Sequence, residues 1–230
     1  MKQREDTFQS MIVVLAVICA AAGLALGSAY RATRDRISAQ QEQERIEALT
    51  VVLPDADKDG FREVSVPKSA PEELPAFAKD GKYYEAYDKP LSDSSGKLVG
   101  YALEAAGSGY GGAIRVTVGV DPKAEIVRGI KITFQQETPG LGTNCVAVKT
   151  EDTLWDVLLG KAKQSGPSEP WFQAQFRGKI ADSFVKVSNK YENIDGLTGA
   201  TITTNAVADA VVEAVKEFRE KVVKSPAGSR

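Results

Sequence analysis

A run of about 20 uncharged residues near the N-terminus constrains the fold of this chain more than any other feature. Residues 11–30 are mostly Val, Ile, Leu, Ala and Gly and carry no charge. A helix of this length crosses a bilayer once, with every backbone hydrogen bond satisfied internally. A cleaved signal peptide is the alternative, because Gly27, Ser28 and Ala29 form an acceptable cleavage site, but the run exceeds most signal-peptide cores. We therefore expect a retained single-pass membrane anchor.

The composition of the remaining chain excludes several kinds of chemistry. The 230 residues are 43% hydrophobic and 26% charged, with a net charge of -2, which is typical of a globular domain and lacks the basic excess of nucleic-acid binding. The chain contains no histidine and two cysteines. Histidine-based triads, disulfide frameworks and thiolate metal clusters are therefore excluded. No metal site and no catalytic side chain are predicted, so redox chemistry would require a bound cofactor.

Periodicity predicts an α+β fold in which an antiparallel sheet is flanked by helices and preceded by one N-terminal transmembrane helix. Strands are expected at 82–88, as an outer strand, and at 98–106, 113–120, 126–134 and 184–187, with the three middle strands joined by tight connections as a meander. Helices are expected at 37–53 and 151–163, and a buried aromatic cluster around Trp171, Phe172 and Phe176. The predicted segments are a polar N-terminus (1–10), the span (11–30), a linker and leading helix (31–80, with a proline-rich connector at 67–75), a main domain (81–224) and a tail (225–230).

The sequence DGLTGATITT at 195–204 directly precedes a strongly amphipathic helix. Its apolar stripe comprises Val207, Val211, Ala214, Val215, Phe218 and Val222. Thr203, Thr204 and Asn205 are candidates for the N-cap. The start of a helix offers unpaired N–H groups and a partial positive charge, so this loop suits an anion such as phosphate. An ordinary capped turn is the alternative interpretation.

Two further loops are rich in glycine. One is GSGYGG at 107–112, between the second and third predicted strands, and the other is QQETPGLGTNC at 135–145. In the second loop Pro139 and Gly140 set a turn, and Leu141 could press on an apolar ring. Plain turns with Glu137 in solvent remain the alternative. We interpret Cys145 as a small packed residue.

DGLTGAT and ETPGLG resemble two motifs of the FMN-binding domain family, in the same order along the chain. Members of that family include the G subunit of the Rnf electron-transport complex and the C subunit of the sodium-pumping NADH:quinone oxidoreductase. The resemblance implies that Thr201 carries covalent FMN through a phosphoester, installed from FAD by a separate flavin transferase. Asp195 matches the first position of the motif. The other residues that the resemblance implicates in cofactor binding are Thr198, Gly199, Ala200, Thr203, Thr204, Glu137, Thr138, Gly140, Leu141, Gly142, Gly109 and Tyr110.

The resemblance further implies an electron-transfer subunit of an Rnf-type ferredoxin:NAD ion-translocating complex, with no substrate turnover of its own. Its partners would be the other subunits, the flavin transferase and the membrane. It would sit in the cytoplasmic membrane of a bacterium or archaeon with the FMN domain outside, although Lys2 and Arg4 before the span, against Arg31, Arg34 and Arg36 after it, weakly favour the opposite orientation. The alternatives are the quinone-oxidoreductase C subunit, a stand-alone extracytoplasmic flavoprotein, and a tethered assembly module without cofactor.

Overall fold

Most of the longest helix forms a unit of its own. The structure, a computed structural model, describes residues 2–66, 76–78, 81–93, 95–148, 169–187 and 190–224. It divides into two compact units, Met1–Arg45 and Ile46–Arg230, and helix α1 (Lys2–Val52) begins in the first. By length and composition, its part from Ser10 to Val52 is able to cross a membrane. The expected connector at 67–75, the helix at 151–163 and the tail at 225–230 lie outside the described residues.

The second unit is built on a five-stranded antiparallel sheet. Its strands are β1 (Phe61–Ser65), β2 (Lys82–Tyr87), β3 (Leu98–Ser108), β4 (Ala113–Val120) and β5 (Val127–Phe134). They neighbour one another in chain order, and every pair is antiparallel. The links from β3 to β4 and from β4 to β5 are short, as an antiparallel pair allows, whereas residues 66–81 and 88–97 form longer links from β1 to β2 and from β2 to β3. The predicted α+β architecture with an antiparallel sheet is confirmed.

One face of the sheet is covered by the last helix, α3 (Thr201–Phe218). Alternate residues of β4 point to this face and are fully buried: Ile114, Val116, Val118 and Val120. The predicted stripe of α3 meets them, with Val207, Val211 and Val215 also fully buried. A wider turn of helix, Arg219–Val223, continues α3. Removing this much apolar surface from water is the main stabilisation of the domain.

The other face is covered by the final turns of α1 within the second unit. Leu49, Val52 and Leu53 are buried together with Tyr84, Ala86 and Ala102 of the sheet. The backbone of Val52 lies close to Gly119 of β4, where an added Cβ would lie 2.9 Å from the carbonyl carbon of Val52. The sheet is therefore sandwiched between α3 and the end of α1.

Several elements differ from the expectation. Strand β1 lies outside β2, so β2 is not the outer strand. The prediction missed β1 because hydrophobic and polar residues do not alternate in its sequence, FREVS. Of the predicted strand at 184–187, only β6 (Lys186–Val187) forms, paired with β7 (Lys190–Tyr191). The aromatic cluster lies on and after a short helix, α2 (Trp171–Ala174), with Phe172 and Phe176 fully buried. Single helical turns occur at Gly142–Val146 and Ala181–Ser183.

Candidate functional site

The loop that joins β7 to α3 is held at its start by a glutamine side chain. The N–H of Asp195 donates to Oε1 of Gln175 at 2.7 Å, and Nε2 of Gln175 donates to the Asp195 carbonyl at 3.2 Å. Leu197 and Ala200 are buried and anchor the loop in the core, whereas Thr198 is exposed. The Gln175 side chain therefore pairs with the backbone of Asp195 as a neighbouring strand would. Nothing in the sequence around Gln175 predicts this contact.

Helix α3 begins at Thr201, and its N-cap residue is Ala200. Ala200 has no side chain able to cap the helix. The prediction that Thr203, Thr204 or Asn205 caps the helix is therefore wrong. The hydroxyl of Thr204 instead accepts the N–H of Leu197 at 2.9 Å and donates to the Ala200 carbonyl at 3.1 Å, so it ties the loop to the helix from inside.

The three threonines in the first turn of α3 differ sharply in exposure. Thr201 is exposed, whereas Thr203 and Thr204 are 1% and 5% exposed. The first bond within the helix runs from the Thr204 N–H to the Ala200 carbonyl, so the N–H groups of residues 201–203 lie before it. An anion held at Thr201 would meet these groups and the positive end of the helix dipole.

Gly199 adopts a backbone conformation that only glycine takes up readily, with a φ of 74°. An added Cβ on this residue would lie 3.1 Å from Cδ2 of Leu141. The DGLTGAT and ETPGLG motifs therefore lie side by side in the fold. This is what we expect if both contribute to one cofactor site. Leu141 is 44% exposed at this contact.

The loop that carries Leu141 is closed by its own hydrogen bonds. The Gly140 N–H donates to Oγ1 of Thr143 at 3.0 Å, and Nδ2 of Asn144 donates to the Gly140 carbonyl at 3.1 Å. The N–H of Leu141 donates to the Thr138 carbonyl at 3.2 Å, while the Thr138 residue itself is exposed. This tight turn fixes the position of Leu141.

Glu137 links three segments of the site. It is 6% exposed, and its Oε1 accepts the N–H of Gly111 at 2.9 Å while its Oε2 accepts the hydroxyl of Thr203. Gly142 packs against both partners of the second bond, because an added Cβ would lie 2.7 Å from Cβ of Glu137 and from Oγ1 of Thr203. The Glu137 carboxylate therefore joins the glycine-rich hairpin to the start of α3. Sequence reasoning missed Gly111, the backbone donor in this junction.

The hairpin GSGYGG contains two of the predicted site residues, Gly109 and Tyr110, which have different roles in it. Gly109 donates its N–H to the carbonyl of Gly112 at 2.8 Å and so closes the turn between β3 and β4. Tyr110, at the tip of this turn, is 74% exposed.

Cys145 is fully buried, which agrees with its interpretation as a packed residue. Burial and the nearby charge of Glu137 raise the pKa of its thiol to about 11.

A cavity of about 320 Å³ opens beside Thr201. This volume falls at the lower end of the roughly 300–1,000 Å³ that small-molecule sites occupy. Its lining residues are Tyr191, Ile194, Gly196, Leu197, Thr198, Gly199, Thr201, Thr204 and Asn205. Tyr191 and Ile194 were not expected from the sequence at this site, because only the fold brings β7 and the residue that follows it against the motif loop. Leu197 lies within the DGLTGAT motif, but no role in the site was predicted for it.

Comparison with known proteins decides the family. A model of the FMN-binding domain matches residues 109–216, which contain both motifs. The G subunit of an ion-translocating oxidoreductase complex from Aliivibrio fischeri strain MJ11 is 31% identical over 96% of this chain and 96% of its own length. This chain belongs to the FMN-binding domain family.

A second curated G subunit also matches most of this chain. The G subunit of a proton-translocating ferredoxin:NAD(+) oxidoreductase complex from Clostridium ljungdahlii is 29% identical over 88% of this chain and 87% of its own length. Among solved structures, NqrC of Shewanella oneidensis is similar at 16% identity and a TM-score of 0.49, covering 79% of this chain and 95% of that chain.

The residues around Thr201 suit FMN in both charge and shape. The open N–H groups at the start of α3 suit its phosphate. The side-chain-free surface of Gly199 and the half-exposed Leu141 leave room for a large planar group beside the loop. The cavity beside Thr201 is lined by the polar residues Thr198, Thr204 and Asn205 next to Ile194 and Leu197, so it can accept a group that has both polar and apolar parts.

Proposed function

We propose that this chain is the FMN-carrying G subunit of an Rnf-type ion-translocating oxidoreductase complex, with FMN joined to Thr201 by a phosphoester. The observation that carries this proposal is the exposure of Thr201. Among the threonines in the first turn of α3, it alone presents its side chain to solvent in the folded chain, directly beside a cavity and the open N–H groups of a helix.

Attachment of FMN requires that the hydroxyl of Thr201 be accessible to the flavin transferase and to FAD. Its hydroxyl oxygen forms a bond to the phosphorus on the FMN side of FAD, the P–O–P bond breaks, and AMP leaves. The hydroxyl proton goes to a base of the flavin transferase. A hydroxyl that is exposed on the folded domain meets this demand, whereas the hydroxyl of Thr203 is buried against Glu137.

The residues around the site bind and orient the group and leave the redox chemistry to it. When bound, FMN accepts and releases one or two electrons. The N–H groups at residues 201–203 stabilise the phosphate charge. Glu137 fixes the three segments relative to one another, and Leu141 covers the loop beside Gly199. The chain therefore relays electrons between other subunits of the complex and turns over no substrate of its own.

We further propose that α1 anchors the domain to the cytoplasmic membrane. The helix is long enough and apolar enough to span a bilayer. The resemblance to the family favours an FMN domain on the extracytoplasmic side. A covalent link prevents loss of FMN there, where free flavin is scarce.

Covalent attachment is tested by in-gel fluorescence of the full-length chain co-expressed with a flavin transferase. Thr201→Val, which keeps the shape of the side chain and removes the hydroxyl, is expected to abolish ultraviolet-excited fluorescence of the denatured band. Thr50→Val makes the same change in the final turns of α1, on the other face of the sheet, and is the matched control that is expected to retain it. A fluorescent band from Thr201→Val, or a dark band from the wild-type chain, would contradict the proposal.

A further inference from the structure

Two glutamine side chains reach from the short helix α2 to the two motif loops of the site. Gln173 lies within α2 and is 1% exposed, and Gln175 follows the helix and is half-buried. The backbone of Gln175 is still helical, with a φ of -63° and a ψ of -24°. Both side chains therefore start from one helical segment, and neither motif contains either residue.

Gln173 ties the end of the ETPGLG loop to the sheet. Its Nε2 donates to the carbonyl of Cys145 at 3.0 Å, and its Oε1 accepts the N–H of Ile132 in β5 at 3.3 Å. Cys145 belongs to the helical turn Gly142–Val146, which begins at the last residue of ETPGLG. Because this amide is buried, removing it leaves a backbone carbonyl and a backbone N–H without this partner, which is costly.

Gln175 holds the start of the DGLTGAT loop. Its two hydrogen bonds to the backbone of Asp195, at 2.7 and 3.2 Å, fix the first residue of that motif. Both polar atoms of the amide are engaged at the same residue. The start of the loop therefore cannot move away from α2 without breaking both bonds.

Helix α2 is itself firmly fixed to the rest of the domain. Phe172 and Phe176 are fully buried, and their ring centres lie 5.7 Å apart. Beyond the helix, the Gly178 N–H donates to the Val127 carbonyl at 2.8 Å, and the Val127 N–H donates to the Lys179 carbonyl at 2.9 Å. The core and strand β5 thus make α2 a rigid support for the two glutamines.

We propose that Gln173 and Gln175 are positioning residues that join the ETPGLG and DGLTGAT loops into one cooperative unit on α2. The loops also contact each other where Leu141 meets Gly199. A loop that leaves α2 must break this contact as well, so the two loops open together. This inference rests on the proposed function, because the unit holds the residue to which FMN is attached, and it adds two residues outside both motifs.

Two simpler roles for the glutamines make different predictions. If each glutamine held only its own loop, its loss would loosen that loop alone. If the glutamines acted through the stability of the whole domain, strand β4 would loosen as well. Hydrogen exchange separates these cases, because the protection of an amide reports the free energy of the opening that exposes it.

The first test is hydrogen exchange, measured by mass spectrometry, of the full-length chain without FMN in detergent. Gln175→Met removes both hydrogen bonds and keeps an unbranched side chain of similar length. We expect exchange to rise about tenfold in residues 195–204 and by a similar factor in residues 135–145, which Gln175 does not touch, because one shared opening loses two hydrogen bonds. Gln173→Met should raise exchange in the same two segments, and exchange in residues 113–120 should stay unchanged.

Thr117→Val is the matched control. It removes a buried hydrogen bond, from the hydroxyl of Thr117 to Oε1 of Glu104 at 3.1 Å, between β3 and β4 on the sheet face opposite α3. It is expected to leave exchange in both loops unchanged. A rise confined to the loop that the changed residue touches, an equal rise in β4, or no rise would overturn the proposal. If Gln173→Met does not fold, the half-buried Gln175 decides the test by itself.

The flavinylated chain gives a second readout, which is the midpoint potential of the attached FMN. This potential depends on the protein groups around the flavin. A peptide that spans residues 195–205, released from the same chain with FMN attached, is the reference without the fold. We expect Gln175→Met to move the potential from the wild-type value towards that of the peptide, and Thr117→Val to leave it at the wild-type value.

The outcomes separate this inference from the proposed function. An unchanged potential in Gln175→Met, or equal potentials in the wild-type chain and the peptide, would overturn the positioning role and leave attachment at Thr201 intact. A wild-type band without flavin fluorescence after denaturation would instead contradict the proposed function.

Discussion

At the scale of single residues, the function depends on differences among side chains that the sequence presents as equivalent. Thr201, Thr203 and Thr204 stand within four positions, and composition favours none of them. The motif resemblance selects Thr201, and burial supplies the physical reason, because the other two hydroxyls are taken up by Glu137 and by the loop. The N-cap prediction failed for the same reason: these polar side chains have tertiary partners, which local patterns do not reveal.

Gly199→Ala is expected to impair both folding and flavin attachment. The φ of 74° costs a residue with a Cβ about 1–2 kcal/mol, and the new methyl group would press on Leu141. Gly178→Ala is the matched control, because Gly178 has a φ of 75° and nothing within 4 Å of the added Cβ. Denaturant unfolding should show a similar loss in both variants, and in-gel fluorescence should fall in Gly199→Ala alone. Equal fluorescence in the two would contradict the described contact.

Cys145 is expected to resist alkylation in the folded chain. Burial raises the pKa of its thiol to about 11, so the folded state disfavours the reactive thiolate. The folded state therefore binds this proton more tightly than the unfolded chain, and the contribution of Cys145 to the free energy of unfolding falls as pH rises from about 9 to about 11.

Mass spectrometry after iodoacetamide treatment, in a Cys19→Ala background, measures that resistance. Labelling at pH 8 should be slow in buffer and complete in denaturant. Rapid labelling of the native chain would show that the thiol is accessible, contrary to its burial.

At the scale of elements, the sequence predicted those parts whose pattern is long and regular. The alternation of β4 and the stripe of α3 are both local signals, and both were confirmed by burial. Strands β6 and β7 are too short to show a period, and β1 shows none; they form because neighbouring strands offer hydrogen-bonding edges. The contact between Gly199 and Leu141 depends on the packing of α3 over the sheet, which no local pattern encodes.

The final turns of α1 are expected to be part of the folded domain rather than a simple tether. Leu49, Val52 and Leu53 are nearly fully buried, and burial of each such side chain contributes about 1.5–3 kcal/mol. A chain that begins at residue 46 should show a cooperative thermal transition, whereas one that begins at residue 55 should lose it or unfold at a much lower temperature. Equal transition temperatures would show that these turns do not stabilise the sheet.

At the scale of the whole molecule, the chain carries an apolar helix near its N-terminus and the candidate cofactor site in its C-terminal part. The ETPGLG and DGLTGAT segments lie far apart in sequence and meet through Glu137, Thr203, Leu141 and Gly199. The identity of the cofactor and of the complex followed from the resemblance. The position of the cavity and the hydrogen bonds between Gln175 and Asp195 could be found only from the fold.

The central claim is one phosphoester bond at Thr201, and peptide mass spectrometry of the mature chain tests it most directly. The chain is isolated from cells that contain a flavin transferase, digested, and the peptide spanning residues 195–205 is fragmented. We predict an added mass equal to FMN less one water, located on Thr201. An unmodified peptide from such cells, or the added mass on another residue, would contradict the account.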